Sequence, residues 1–397
     1  MIISNCPKLR GYLPNRLPCL KTLSVFRCGY LRLHDEWASS SSGLNMDYLY
    51  IDGCPGLLPL IERVEKFLST LVISNFDAIQ CLPKMKYLRS LTFSSCPTVS
   101  SLEFLSHEMM AELTSLEHLE IWNSFHSVRS FPLGVFPKLS TLEIDGCENL
   151  ESFSIEGVDQ NLSHLNSLRI YRCPNLASFP DGGLPTPNLR ELSVGGCKNL
   201  KSFPERIRTL TALEQLYLDD LPNLVSFAQG GLPHSLQYFK VTRCDKVKPS
   251  VEWGLQGLVS LQEFTIAGEI SAPLLKEQLL PTSLHRLTIH NCRSLEFLPA
   301  EGLQHLTSLQ NLTITFCPSL EFLPAEGLLH LTSLQKLRIR RCPKLQFLPE
   351  NGLPPSLSYL VISSCSTLEK RYEDKKGEDW AKISHIPFIR INGEEII

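Results

Sequence analysis

The chain has 397 residues, of which 43% are hydrophobic, and its formal net charge is −3. This length suits two or three ordinary domains or one large solenoid. A nearly balanced charge provides no global field that favours nucleic acid or an anionic membrane surface, and no apolar run approaches the roughly 20 residues that span a bilayer. The first residues, MIISNCPKLRGYLPNRL, contain no basic leader followed by an apolar block. The sequence therefore predicts a soluble, cytoplasmic chain that reaches the nucleus or a membrane only through partners.

A single repeat runs along the chain from its first residues to Leu368. The unit is L-x-x-L-x-L/I/V-x-x-C-x-x-L, and its copies follow each other at intervals of about 20–28 residues, the range of leucine-rich repeats. The clearest copies begin at Leu139, Leu165, Leu189, Leu284, Leu309, Leu334 and Leu357, and weaker ones at Leu20, Met46, Leu68, Leu88, Leu116, Leu213, Leu236 and Leu261. We therefore expect roughly fifteen repeats after a partial first one, forming one solenoid over residues 1–368. Residues 34–45 and 98–113 interrupt the rhythm and are predicted to be a flexible loop and a short helix.

Each unit predicts one short strand. In L-x-L/I/V the two apolar residues share one face of the strand, and the residue between them points the opposite way. One unit cannot bury its apolar face alone, whereas stacked units make a continuous core. The predicted fold class is an α/β leucine-rich-repeat solenoid, a horseshoe with a parallel β-sheet on its concave face. Segments such as PDGGLPTPN predict a mostly irregular convex side with few short helices, because Pro and Gly break helices.

Twelve of the fourteen cysteines occupy one position of the repeat, directly after the strand. They are Cys6, Cys28, Cys54, Cys96, Cys147, Cys173, Cys197, Cys244, Cys292, Cys317, Cys342 and Cys365. This column fits either a ladder of disulfides or metal ligands, or a row of small buried residues. Equivalent side chains of stacked strands point in parallel, which disfavours bridging, and no C-x-x-C pair or Cys/His cluster at zinc spacing occurs. We expect buried free thiols and no metal site.

The sequence contains no recognisable catalytic or phosphate-binding motif. The dipeptide Gly-Lys never occurs, which excludes a P-loop, and neither H-E-x-x-H nor G-x-S-x-G is present. We therefore predict that the chain is not an enzyme and has no catalytic residues and no cofactor.

A near-identical pair of repeats separates constant positions from variable ones. Residues 294–318 and 319–343 share their leucines, but Thr313, Thr315 and Phe316 of the first repeat are replaced by arginine in the second. These positions flank the apolar residues of the strand and should face solvent on the concave surface. Conserved core residues beside substituted surface residues are typical of a recognition surface. Neutral substitution of solvent-exposed residues would also vary these positions.

Large aromatic and charged residues at the variable positions are the candidate partner-binding residues of the concave face. Arg169, Arg172 and Arg190 form one predicted basic patch, and Lys336 begins a second. Charged bands with aromatic residues between them favour a protein partner over nucleic acid, which requires a more continuous positive stripe. The candidates are Trp122, Tyr171, Arg172, Tyr217, Asp219, Arg338, Arg340 and Arg341.

The C-x-x-L-x-x-F/L-P cadence resembles the leucine-rich-repeat region of plant NLR disease resistance proteins, the intracellular immune receptors of the coiled-coil nucleotide-binding class. The tail after Leu368, with EKRY, KGEDW and ISHIP, is similar to the segment that ends such receptors. The resemblance implies a role in innate immunity. The repeats would bind a pathogen effector or a guarded host protein, contact the receptor's own nucleotide-binding domain, and control a hypersensitive defence response. This sequence lacks the coiled coil and the nucleotide-binding domain, so we expect a fragment or truncated gene product that senses without signalling.

Two other classes of protein remain open. One is the extracellular ectodomain of a leucine-rich-repeat receptor. Plant versions favour L-x-x-L-x-L-x-x-N-x-L-x-G-x-I-P, whereas this chain has Cys in place of Asn and lacks G-x-I-P. The other is the substrate-recognition module of a ubiquitin ligase, because the G-L-P-x-S-L cadence of such modules resembles residues 231–236. A ubiquitin ligase would also need a separate catalytic domain, whereas only residues 369–397 follow the last repeat. We predict instead that this tail caps the solenoid.

Overall fold

The computed structural model describes most of the chain as two compact units, Met1–Leu200 and Lys201–Ile397. The predicted loop at residues 34–45 and the predicted helix at residues 98–113 lie outside the described part, except for residues 34, 45 and 113. The described residues are 1–14, 19–34, 45–76, 82–83, 85–97, 113–155, 161–204, 206–225, 230–248, 251–269, 271–349, 352–372 and 377–396.

The first unit is built on a parallel sheet to which nearly every repeat contributes one strand. Its described strands are β1 (Ile2–Ser4), β2 (Gly11–Tyr12), β3 (Thr22–Phe26), β4 (Leu31–Arg32), β5 (Tyr48–Asp52), β6 (Thr70–Ser74), β7 (Ser90–Ser94), β8 (His118–Trp122), β9 (Ser130–Pro132), β10 (Thr141–Asp145), β11 (Ser152–Ser154), β12 (Ser167–Tyr171) and β13 (Glu191–Gly195). The strands β1, β3, β5, β6, β7, β8, β10, β12 and β13 pair in that order, each parallel to the next. Two smaller parallel pairs, β2 with β4 and β9 with β11, form separate two-stranded sheets.

The second unit repeats the arrangement with strands in simple chain order. They are β14 (Gln215–Asp219), β15 (Tyr238–Thr242), β16 (Glu263–Ala267), β17 (Arg286–His290), β18 (Asn311–Thr315), β19 (Lys336–Arg340), β20 (Tyr359–Ser363), β21 (Phe388–Ile391) and β22 (Glu394–Glu395). Each strand from β14 to β21 is parallel to the next, and β22 turns back antiparallel to β21. The last parallel strand, β21, belongs to the tail that the sequence places after the final repeat.

The register of the strands explains why the leucine pattern fixes this fold. Leu312 lies opposite Leu337 and Ile314 lies opposite Ile339, and all four side chains are fully buried. Because side chains alternate along a strand, this register turns the first, third and fifth residues of each five-residue strand away from the core. The predicted fold class, a parallel-sheet solenoid with few short helices, is confirmed in each unit.

The described helices are short and occur between the strands. They are α1 (Pro59–Val64), α2 (Ser271–Lys276), α3 (Ala300–Leu303), α4 (Ala325–Leu329), α5 (Ser366–Tyr372) and α6 (Gly377–Ala381), and single 3₁₀ turns lie at Pro55–Leu57, Leu133–Val135, Ile207–Thr209, Val251–Trp253 and Leu255–Gly257. The duplicated AEGL sequence forms both α3 and α4. A Cβ atom on Gly327 would lie 2.9 Å from the Cα of Ala300, so glycine is what allows these two helices to stack closely.

A left-handed residue and a cysteine end most strands in the same way. The residue after the strand has positive φ, as at Asn291, Phe316 and Arg341, and its backbone N–H donates to the next repeat, for example from Phe316 to the carbonyl of Arg340 at 3.0 Å. The following cysteine is buried, and its thiol donates to the carbonyl two residues earlier, at 3.3 Å in Cys244. Burial raises the pKa of Cys244 to about 12, so this thiol stays protonated at neutral pH. The thirteen described cysteines are free, and eleven of them are buried.

Candidate functional site

All eight predicted site residues lie at the end or on the outward side of a strand. We call the outward side chains of the strands, together with the residue that follows each strand, the exposed strand face. Trp122, Tyr171, Asp219 and Arg340 are the last residues of β8, β12, β14 and β19, and Tyr217 and Arg338 are the middle residues of β14 and β19. Arg172 and Arg341 follow β12 and β19 with φ values of 49° and 53°.

The structure brings these residues together in separate groups. In the first unit, Trp122 and Tyr171 lie on either side of Asp145 in the register of the sheet. In the second unit, Tyr217 and Asp219 share β14, whereas Arg338 and Arg340 belong to β19 and Arg341 follows it. Four strands, β15 to β18, separate β14 from β19. The candidates of the second unit therefore form two distinct surfaces.

Side chains of adjacent repeats hold the first-unit candidates in place. Arg172 donates from Nε and Nη2 to the two carboxylate oxygens of Asp145 at 2.5 and 2.6 Å, and this hydrogen-bonded ion pair raises the pKa of Arg172. The hydroxyl groups of Tyr171 and Ser193 are 2.6 Å apart. The indole Nε1 of Trp122 donates to Glu143 at 3.2 Å. These contacts cross between repeats and pre-organise the surface.

The predicted basic patch of the first unit is largely neutralised by carboxylates. Arg169 donates to both oxygens of Glu191 at 2.7 and 2.8 Å, and its Nη1 lies 3.5 Å from Glu143. Burial alone would raise the pKa of Glu191, but the hydrogen bonds from Arg169 and Ser167 hold it below its ordinary value. Arg172 has Asp145 as its partner. The patch is therefore mainly a row of ion pairs, contrary to the sequence-based prediction.

The two candidates on β14, Tyr217 and Asp219, are also bound to other side chains of the protein. Asp219 accepts from Arg243 at 2.5 Å and also from the hydroxyl of Thr242 on the adjacent strand. The phenol of Tyr217 donates to Gln215 at 3.1 Å. Asp219 is thus already part of an ion pair, and both Asp219 and Tyr217 are half-buried.

The arginines of β19 are arranged differently. We call Lys336, Arg338, Arg340 and Arg341 the β19 cation cluster. Within the part of the chain that the structure describes, none of the four forms an ion pair. Two of them stack on aromatic rings of adjacent repeats instead. The guanidinium carbon of Arg338 is 5.0 Å from the ring centre of Tyr359, and that of Arg341 is 4.5 Å from the ring centre of Phe316.

A row of exposed phenylalanines lies outside the predicted site. Phe297, Phe322 and Phe347 pair in parallel register and are 53%, 50% and 42% exposed. The repeats that contain Phe179 and Phe203 carry serine at the position equivalent to Phe297, and their phenylalanine occupies the next position, where it is buried. In the repeats of Phe297, Phe322 and Phe347 that next, buried position is leucine. The shift of phenylalanine by one residue is visible in the sequence and could have identified the exposed row.

The described residues contain neither a candidate metal site nor a candidate membrane-spanning helix. In that part of the chain, no cluster of three or more His, Cys, Asp or Glu side chains could hold a metal ion. None of its helices is both long enough and apolar enough to cross a membrane.

Comparison with known proteins relates the chain to plant disease resistance. No family model matches it. An Arabidopsis thaliana protein named as a disease resistance protein is 32% identical over 374 residues, which is 92% of this chain. The chain spans only 24% of the length of that relative. The resemblance to the leucine-rich-repeat region of a plant disease resistance protein is therefore confirmed.

Solved structures with some likeness to this chain come from other organisms. A leucine-rich-repeat protein of Leptospira interrogans is 20% identical with a TM-score of 0.47, covering 75% of this chain and 78% of that one. A chain of the mouse RP105/MD-1 complex is 16% identical with a TM-score of 0.44, covering 88% and 65%. A chain of a complex of latrophilin 3, Unc5D and FLRT2 is 17% identical with a TM-score of 0.35, covering 83% and 77%.

Proposed function

We propose that this chain, as the leucine-rich-repeat region of a plant disease resistance protein, is the recognition and regulatory part of an intracellular immune receptor. It binds a pathogen effector or a guarded host protein through its exposed strand face. In the full-length receptor it also contacts the nucleotide-binding domain and restrains it until the partner binds. The chain itself carries out no catalysis; its contribution is a fixed array of side chains.

One observation carries this proposal. The strands β18 and β19 lie side by side with the same register, and Leu312, Ile314, Leu337 and Ile339 form an identical buried layer. The outward residues opposite each other differ completely, since Thr313 faces Arg338 and Thr315 faces Arg340. Packing of the core gains nothing from this change, and four neighbouring cations repel one another. Binding to a partner gives a reason to keep them.

The geometry of the strand array suits recognition of a protein surface. Adjacent parallel strands lie about 4.8 Å apart, so outward side chains form a dense two-dimensional grid that a constant core supports. Seven of the eight candidate positions carry tyrosine, tryptophan or arginine, the types that dominate binding hot spots. Their ion pairs and hydrogen bonds to adjacent repeats reduce the conformational entropy lost on binding.

Charge reversal in the full-length receptor tests the proposal. Arg338→Glu with Arg340→Glu should abolish the defence response to the recognised partner or release the restraint and cause a response without it. The melting temperature of the purified chain should change by only a few degrees, because neither side chain belongs to the buried core and substitutions outside the core usually alter stability by under about 0.5 kcal/mol.

The matched control is Arg293→Glu with Lys344→Glu. It reverses the same number of cations in the same unit, but outside the strands. This control should respond like the parent receptor. A β19 double variant that accumulates normally and also behaves like the parent in both assays would show that this surface is not used.

A further inference from the structure

The arginines of the strand array use their guanidinium groups in two different ways. Those outside the β19 cation cluster mostly donate their N–H edges to a carboxylate of an adjacent repeat. The N–O distances are 3.2 Å for Arg89 with Glu117, 2.7 Å for Arg169 with Glu191, 2.5 Å for Arg172 with Asp145 and 2.5 Å for Arg243 with Asp219, and Arg286 pairs likewise with Glu263. Their hydrogen-bonding edges are therefore already occupied within the protein.

In the β19 cation cluster two guanidinium groups lie over aromatic rings. The guanidinium of Arg338 lies over the ring of Tyr359, and that of Arg341 lies over the ring of Phe316. A cation–π contact does not neutralise the guanidinium, and neither group forms an ion pair within the described residues, so their N–H groups remain available for hydrogen bonds to a carboxylate. The aromatic rings thus orient the arginines without neutralising them.

The strands on either side of β19 offer no internal counter-charge. The outward residues of β18 are Asn311, Thr313 and Thr315, and those of β20 are Tyr359, Val361 and Ser363. None is acidic, whereas the other paired arginines each have a carboxylate on the adjacent strand or its end. Four cations with no described ion pair therefore lie on β19 and the residue after it, in a chain whose formal net charge is −3.

We propose that the β19 cation cluster binds an acidic segment of the protein partner, with Asp or Glu carboxylates accepting hydrogen bonds from Arg338, Arg340 and Arg341. This inference rests on the proposed function and specifies the chemistry of the partner at one surface. Charge-assisted bidentate pairs of this kind are both strong and directional. Tyr359 and Phe316 provide apolar contacts beside the charges.

The extent of the cluster favours a peptide segment over nucleic acid. A nucleic-acid backbone presents regularly spaced phosphates and needs cations continued over several contacts. The cations of this surface are confined to β19 and the residue that follows it. Threonine, serine and tyrosine hydroxyls on β18 and β20 can instead bond to peptide groups.

Binding of a labelled poly-glutamate peptide to the purified full chain tests the inference, with poly-glutamine of the same length as the neutral probe. Fluorescence anisotropy should detect poly-glutamate binding that weakens as salt is raised, and no comparable binding of poly-glutamine. Arg338→Gln with Arg340→Gln should weaken the binding about tenfold or more. The control Arg293→Gln with Lys344→Gln removes the same charge and should change it less than about twofold.

Several results would overturn the inference. These are equal binding of poly-glutamate and poly-glutamine, equal weakening by both double variants, and stronger competition by single-stranded DNA or anionic vesicles than by free poly-glutamate. Circular dichroism would confirm that each variant is folded.

If poly-glutamate fails to bind while charge reversal still silences the receptor, the inference of an acidic partner segment is wrong, but the proposal of recognition through the exposed strand face stands. If both experiments fail, the proposed function fails at this surface as well.

Discussion

Replacing Leu312 by aspartate should unfold the repeats around β18. Leu312 is fully buried and lies between Leu287 and Leu337 of the adjacent strands. An ionised carboxylate at this place has no partner and loses its hydration, which costs several kcal/mol. Each repeat depends on its nearest neighbours, so the loss should spread to the adjacent repeats. Urea unfolding followed by circular dichroism measures the effect.

Two further variants make this result interpretable. Leu312→Ala leaves a cavity without a charge and should lower the free energy of unfolding by about 2–5 kcal/mol. Thr313→Asp introduces the same carboxylate one residue later, on the exposed strand face, where it should cost under about 0.5 kcal/mol. Equal stability of Leu312→Asp and Thr313→Asp would contradict the alternation of buried and exposed residues along β18.

Ending the chain at Ser366 should make it aggregate. The truncation removes β21, which pairs with β20 and places Ile389 opposite Leu360. The tail also supplies Ile383, Ile386 and Tyr372, which are at most 2% exposed. Burial of each such side chain contributes about 1.5–3 kcal/mol, and the bare edge of β20 would be open to pairing with another chain. Light scattering during purification and thermal melting would detect both consequences.

A shorter deletion separates capping from a general effect of truncation. A chain that ends at Asn392 keeps β21 and its pairing with β20, and removes only β22 and the last residues. It should remain soluble with nearly unchanged stability. Our prediction that residues 369–397 act as a cap would be wrong if the Ser366 truncation were an equally stable monomer.

The core and the strands follow from the sequence because their cause is local. The spacing of Leu312 and Ile314 puts both side chains on one face of a short strand, and the same spacing recurs in the other clear repeats. The cysteine after the strand is equally predictable, since each repeat needs a small buried residue at that turn. No knowledge of the neighbouring repeats is needed for these assignments.

Whether a surface charge is paired depends on contacts between repeats. The sequence pattern of a single repeat does not contain this information. Arg172 and Asp145 are 27 residues apart in sequence but meet in an ion pair. Arg341 carries the same charge as Arg172 and follows its strand in the same left-handed conformation. It stacks on Phe316 instead. The sequence could predict that both residues are exposed, but their different availability to a partner follows only from the register of the sheet.

Photo-crosslinking in the full-length receptor tests the central claim, recognition through the exposed strand face, most directly. A photoreactive phenylalanine would replace Thr288 or Thr313 on the exposed strand face. As controls it would replace Val251 or Val259, which lie outside the strands and are 72% and 78% exposed. We predict adducts with a second protein, or with the receptor's own nucleotide-binding domain, from the two strand positions only. Adducts formed from Val251 and Val259, with none from Thr288 and Thr313, would contradict the account.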